Sequence, residues 1–90
     1  MKLFLIHVGY YEPSIMEGLY EHHINFFVAG STINDAKQKA KKNSLFKIKK
    51  MHIDGIQQVD NVDGFRVELI SEESNNENMT YDYDEVKKIK

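Results

Sequence analysis

The chain opens on Leu3-Phe4-Leu5-Ile6-His7-Val8, a run with apolar residues at both parities of a strand. Phe4, Ile6 and Val8 share one face and Leu3, Leu5 and His7 the other. A strand apolar on both sides belongs in the middle of a sheet. Gly9-Tyr10-Tyr11-Glu12-Pro13-Ser14 breaks the pattern, and the segment from Ile15 to His23 reads as irregular or as one helical turn. Ile24-Asn25-Phe26-Phe27-Val28-Ala29 forms a second strand, with Ile24, Phe26 and Val28 pointing one way and Phe27 and Ala29 the other.

Gly30-Ser31-Thr32 ends that strand. Thr32 is a good helix N-cap, and Asp35 falls at the third helical position, where a carboxylate meets unpaired amides. Ile33, Ala36 and Ala40 follow at helical spacing, a narrow stripe rich in alanine that predicts close packing on the sheet. Lys37, Lys39, Lys41 and Lys42 face away, and Asn43-Ser44 ends the helix. Leu45 to Lys50 reads as a connection whose Phe46 and Ile48 cover an edge of the core. From His52 to Leu69 the pattern is strand, turn, strand. Asp63-Gly64 between alternating apolar residues is a strong hairpin signal, because both turn positions need positive φ.

Beyond Leu69 the pattern is lost. Ser71-Glu72-Glu73-Ser74-Asn75-Asn76-Glu77-Asn78 is polar and without period, a solvated or disordered loop. In Met79 to Lys90, Met79, Tyr81 and Tyr83 alternate like a strand, while Tyr83, Val86 and Ile89 suit a short helix. The order strand-strand-helix-strand-strand predicts an α+β domain: a two-layer antiparallel sheet with one helix, over residues 1–70. Residues 71–90 form a polar loop and a C-terminal tail, packing on the domain or on a partner. One thin helix covers one sheet face only. The other face needs a cover, either the Met79–Ile89 tail or a second copy of the chain.

Ninety residues make one domain with a small core. The absence of Cys excludes disulfides and thiolate metal sites and favours a reducing compartment. The apolar start is short for a signal-peptide core and no segment approaches a bilayer span, so the expectation is a soluble cytoplasmic protein with no membrane contact. The net charge of −2 hides a split. Residues 37–50 carry seven of the twelve basic side chains and no acid, whereas residues 51–86 carry ten of the fourteen acids against Arg66 alone.

Several blocks together resemble the domain-of-unknown-function 1543 family. They are Lys2-Leu3-Phe4-Leu5; Gly9-Tyr10-Tyr11-Glu12-Pro13; Glu21-His22 before Phe26-Phe27-Val28-Ala29; Asp35-Ala36-Lys37-Gln38-Lys39-Ala40; and His52-Ile53-Asp54 leading to Val59-Asp60-Asn61-Val62-Asp63-Gly64. The resemblance spans residues 2 to about 70 and implies a small soluble domain. It supplies no activity and no catalytic residues.

Three constellations carry candidate chemistry. His52 and Asp54, two apart on a strand, point the same way and could supply two ligands to a divalent metal, with His22 as a third if the strands lie side by side. His23 belongs to the same constellation. Against this, His22 could bond a backbone group, and Asp54-Gly55 could shape a bulge. The lysines from Lys37 to Lys50 could neutralise phosphates. They include no arginine for base readout, and Phe46 is their only aromatic, so a solvated helix face is the plainer reading. Tyr10, Tyr11 and Tyr20 suit a protein or ligand contact, or simply cap a sheet edge. No Ser/His/Asp order marks a nucleophile, and no cofactor other than a divalent metal is suggested. The leading expectation is a non-enzymatic binding or assembly module, a homo-oligomer or protein-binding domain using an open sheet face or edge. The alternatives are a metal-binding or enzymatic domain at His22, His52 and Asp54, and nucleic-acid binding through the Lys37–Lys50 surface.

Overall fold

β1 (Lys2–Tyr11) is the middle strand of a three-stranded antiparallel sheet, flanked by β2 (Glu21–Gly30) and β3 (His52–Gln58). The structure is a computed structural model and describes all residues 1–90. The α+β class and the central place of the first strand agree with the sequence reading. The strands are longer than expected. Gly9, Tyr10 and Tyr11 continue β1 instead of breaking it, and β2 begins at Glu21, taking in both His22 and His23.

The core lies on one side of this sheet. Phe4, Ile6 and Val8 are fully buried against Ala36 and Ala40 of α1 (Ile33–Lys41), with Met51 beside them. Ile24, Phe26, Val28, Ile53, Ile56 and Phe46 pack around this centre. Thr32 Oγ1 accepts the Asp35 amide hydrogen at 3.1 Å, and Asp35 Oδ2 accepts from the Ser31 amide at 2.9 Å, so the helix start is capped as expected. The alanine stripe brings α1 close: a Cβ at Gly30 would lie 3.1 Å from the Ala36 nitrogen. Ile33 and Ile48, expected to help cover the core, are instead exposed.

Two further helices supplement the single one expected. Residues 44–48, read as a connection, form α2 (Ser44–Ile48), capped by Asn43 Oδ1 accepting from the Leu45 amide at 2.9 Å. The ambiguous tail forms α3 (Tyr83–Lys88), begun by a reciprocal capping box between Asp82 and Glu85.

The Asp63-Gly64 turn forms with φ of 52° and 81°, as a two-residue hairpin requires. Its arms are short and separate from the main sheet: β4 (Asn61–Val62) pairs only with β5 (Phe65–Arg66). The expected four-stranded sheet therefore has three strands. The cause is register. Phe4 pairs with Gln58 and Leu3 accepts from the Val59 amide, so β1 runs out just as the hairpin starts.

The second face of the sheet carries no helix. Its apolar end is Leu3, Leu5, Phe27 and Ala29, and its other end is polar, so it is less apolar than the sequence suggested. The tail does not cover it, since every residue from Ser71 to Lys90 is exposed. The Cα radius of gyration is 16.0 Å, against about 12 Å for a packed domain of this length.

Candidate functional site

Alternating positions face the open side: His7, Gly9 and Tyr11 from β1, Glu21, His23 and Asn25 from β2, and His52 from β3. Gly9 pairs with His23 on one side and with His52 on the other. The middle strand thus presents no side chain between two imidazoles. Asp54 joins them through an irregularity. Val8 pairs with Ile53 and His7 with Gly55, leaving Asp54 as the unpaired residue of a β-bulge, one of the readings its sequence allowed.

These residues converge over Gly9. His52 Nε2 lies 2.9 Å from Glu21 Oε1 and 3.2 Å from Asp54 Oδ1. His23 Nδ1 lies 3.2 Å from Asp54 Oδ2, and its Nε2 lies 3.5 Å from Glu21 Oε1. Tyr11 donates its hydroxyl to Glu21 Oε2 at 3.1 Å. The His7 ring stacks parallel to His23, with centroids 4.9 Å apart, and its Nδ1 meets Asn25 Oδ1 at 2.7 Å. A Cβ at position 9 would fall 2.7 Å from both Asp54 Oδ2 and His52 Nε2, and closer still to Glu21 Oε1. The cluster exists because residue 9 is glycine.

The electrostatics follow from these contacts. The His52 hydrogen bond holds the Glu21 carboxyl below its ordinary range. Partial burial opposes this, while the Tyr11 hydroxyl and the nearby His23 reinforce it. The same Tyr11–Glu21 bond, followed by the carboxylate's charge, raises the Tyr11 hydroxyl. Two carboxylates about one-third exposed thus face imidazoles that are each nearly half exposed. This is hard-donor and imidazole chemistry, suited to a first-row divalent cation or to proton transfer.

Two sets of three donors have atoms mutually within 4.8 Å: Glu21, His52 and Asp54, and His7, His23 and Asp54. His52 and Asp54 are therefore brought together as the sequence suggested, but His22 is not with them. His22 shares its parity with Ile24 and Phe26, on the helix side of β2. There it stacks on Tyr10 at 5.4 Å, and its Nε2 is buried without a hydrogen-bond partner. Its place is taken by His23 and by Glu21, which sequence reasoning did not single out as a ligand. The signal was present in the alternation: Glu21 and His23 share parity with Asn25 and Phe27, not with the core residues.

The tyrosines do not form one surface. Tyr10 and Tyr11 lie in β1, not in a loop, and point to opposite faces, while Tyr20 is exposed just before β2. Tyr11 also borders a shallow cleft with Glu12, Pro13, Ile48, Lys49 and Lys50. Of the lysine run, Lys39 Nζ donates to the Ala29 carbonyl at 2.7 Å and Lys49 Nζ pairs with Glu12 Oε2 at 2.8 Å. No helix of the chain is long and apolar enough to cross a membrane.

Comparison with known proteins found no match among curated proteins and none among solved structures. One family pattern matches, over residues 18–69. The matched stretch holds Glu21, His23, His52 and Asp54, while His7, Gly9 and Tyr11 precede it. With more than half its length matched, the chain belongs to the family described as Domain of Unknown Function (DUF1543).

Proposed function

We propose that this domain binds a divalent cation on the open face of its sheet, with Glu21, His52 and Asp54 as ligands above Gly9. The carrying observation is the spacing of the donor atoms. Ligands about 2.0–2.1 Å from a tetrahedral ion stand about 3.3 Å from one another. Glu21 Oε1 and His52 Nε2 are 2.9 Å apart, and His52 Nε2 and Asp54 Oδ1 are 3.2 Å apart. A Cβ at position 9 would intrude on the same small volume. A purely stabilising role is the weaker explanation, because ion pairs this exposed contribute about 0–1 kcal/mol each. Three protein ligands leave a coordination position for water or a small anionic ligand, the arrangement of catalytic rather than closed structural sites. Cobalt(II) added to chelator-stripped protein tests this. Ligand-field bands in the visible are expected, and Glu21→Gln and His52→Ala should each diminish them. A featureless spectrum for the unsubstituted chain contradicts the reading.

A second reading, self-association, rests on a different observation. β2 is an outer strand of ten residues with no Pro and no Lys to discourage pairing. The exposed Phe27 continues its apolar surface. Two copies joined edge to edge through β2 would form one six-stranded sheet. Light scattering on the size-separated protein checks this, and a monomeric mass at high concentration rules it out.

A further inference from the structure

We infer that the open face holds two cations, with Asp54 as a bridging carboxylate between the Glu21/His52 position and a second position made by His7 and His23. This rests on the metal-binding reading and extends it. The two oxygens of Asp54 address different imidazoles: Oδ1 lies 3.2 Å from His52 Nε2, and Oδ2 lies 3.2 Å from His23 Nδ1. The bulge explains how. Lacking a partner on β1, Asp54 sits between the row of Gly9, His23 and His52 and the row of His7, Asn25 and Gly55. His7, His23 and Asp54 bring donor atoms within 4.8 Å of one another, independently of Glu21 and His52.

The surroundings of His7 support the second position. Asn25 Oδ1 stands 2.7 Å from His7 Nδ1. An amide oxygen can only accept, so this contact calls for a proton on Nδ1, and in the neutral ring that leaves the Nε2 lone pair free for an ion. That is how outer-shell groups commonly prepare a ligating histidine. The His7 and His23 rings lie parallel with centroids 4.9 Å apart, and both, being at least partly exposed, would turn to aim their in-plane lone pairs at one ion. Ions sharing one carboxylate would stand roughly 3.5–4 Å apart, the spacing at which a pair clamps a bridging oxygen anion or hydroxide. The donors are imidazoles and carboxylates with no thiolate, which suits zinc or manganese.

The test is the zinc stoichiometry of the full chain, measured by calorimetric titration and by metal analysis after desalting. Circular dichroism confirms that each variant is folded. Two equivalents are expected for the unsubstituted protein and one for His7→Ala and His23→Ala, while Asp54→Ala should weaken both sites. In the manganese-loaded protein, an exchange-coupled paramagnetic resonance signal should appear and be lost in His7→Ala. One equivalent, unchanged by His7→Ala, overturns the second position and leaves the first standing. Two equivalents unaffected by His7→Ala also overturn it. No bound metal defeats both readings.

Discussion

Glu21 Oε1 and His52 Nε2 meet 2.9 Å apart although a whole strand runs between the strands that carry them. The contact is made over Gly9, the one position on that row of β1 where a side chain would stand in the way. The candidate site and the sheet are thus joined through a single missing Cβ.

Replacing Gly9 by alanine should separate site from fold. The atoms a new Cβ would meet are the tips of exposed side chains, free to swing aside, so the sheet should survive. Alanine also lowers the entropy of the unfolded chain, offsetting any strain by about 0.4–1 kcal/mol. The expected outcome is a melting temperature within a few degrees of the parent, with metal affinity reduced by at least the roughly 10–100-fold that even outer-shell changes cost. Parallel thermal melts and metal titrations check both halves.

His22 and His23 should behave oppositely despite being neighbours. His22 Nε2 is buried without a partner, and its ring stacks on Tyr10. His22→Phe keeps the stacking and removes the unpartnered nitrogen, so it should stabilise the fold by about 1 kcal/mol in urea unfolding, with metal binding unchanged. His23→Ala, on the open face, should instead lower the metal content.

Much of this was legible in the sequence where the cause is local. The Thr32–Asp35 cap and the Asp63-Gly64 turn each depend on a few adjacent residues. His52 and Asp54 share a face through the period of a strand. The misplacement of His22 came from starting the second strand at Ile24. Once β2 begins at Glu21, alternation alone puts His22 with Ile24 on the core side and His23 with Glu21 on the other. The part played by Gly9 was not legible, because it depends on the register of three strands distant in sequence. The same holds for the hairpin's separation from the sheet, which follows from where β1 begins.

Acid should weaken the fold through depressed carboxyls. Lys49 holds Glu12, His52 holds Glu21, and the Ser31 amide holds Asp35 below their ordinary values of 4.5, 4.5 and 3.8. A carboxyl whose folded pKa lies below its unfolded one contributes stability that is present above the unfolded value. That contribution is lost as pH falls through the folded value. Stability measured in urea should therefore fall as pH drops below about 4.5. Glu21→Gln should flatten part of that dependence.

Deleting residues 71–90 should cost the domain little. All of them are exposed, and α3 contributes no buried residue. The truncated chain is expected to keep its melting temperature within a few degrees and its full metal binding. A large drop in melting temperature would assign the tail a packing role. By contrast, Ile6→Ala, in the centre of the core, should cost about 2–5 kcal/mol in denaturant unfolding.

The most direct measurement is zinc titration by calorimetry of the chelator-stripped chain near pH 7.5, side by side with Gly9→Ala and His52→Ala. Saturable binding by the parent, with the Glu21/His52 position lost in His52→Ala and weakened at least about tenfold in Gly9→Ala while their circular dichroism stays that of the folded domain, is the expected result. No binding by the parent, or equal binding by the parent and Gly9→Ala, would contradict a metal site built over Gly9.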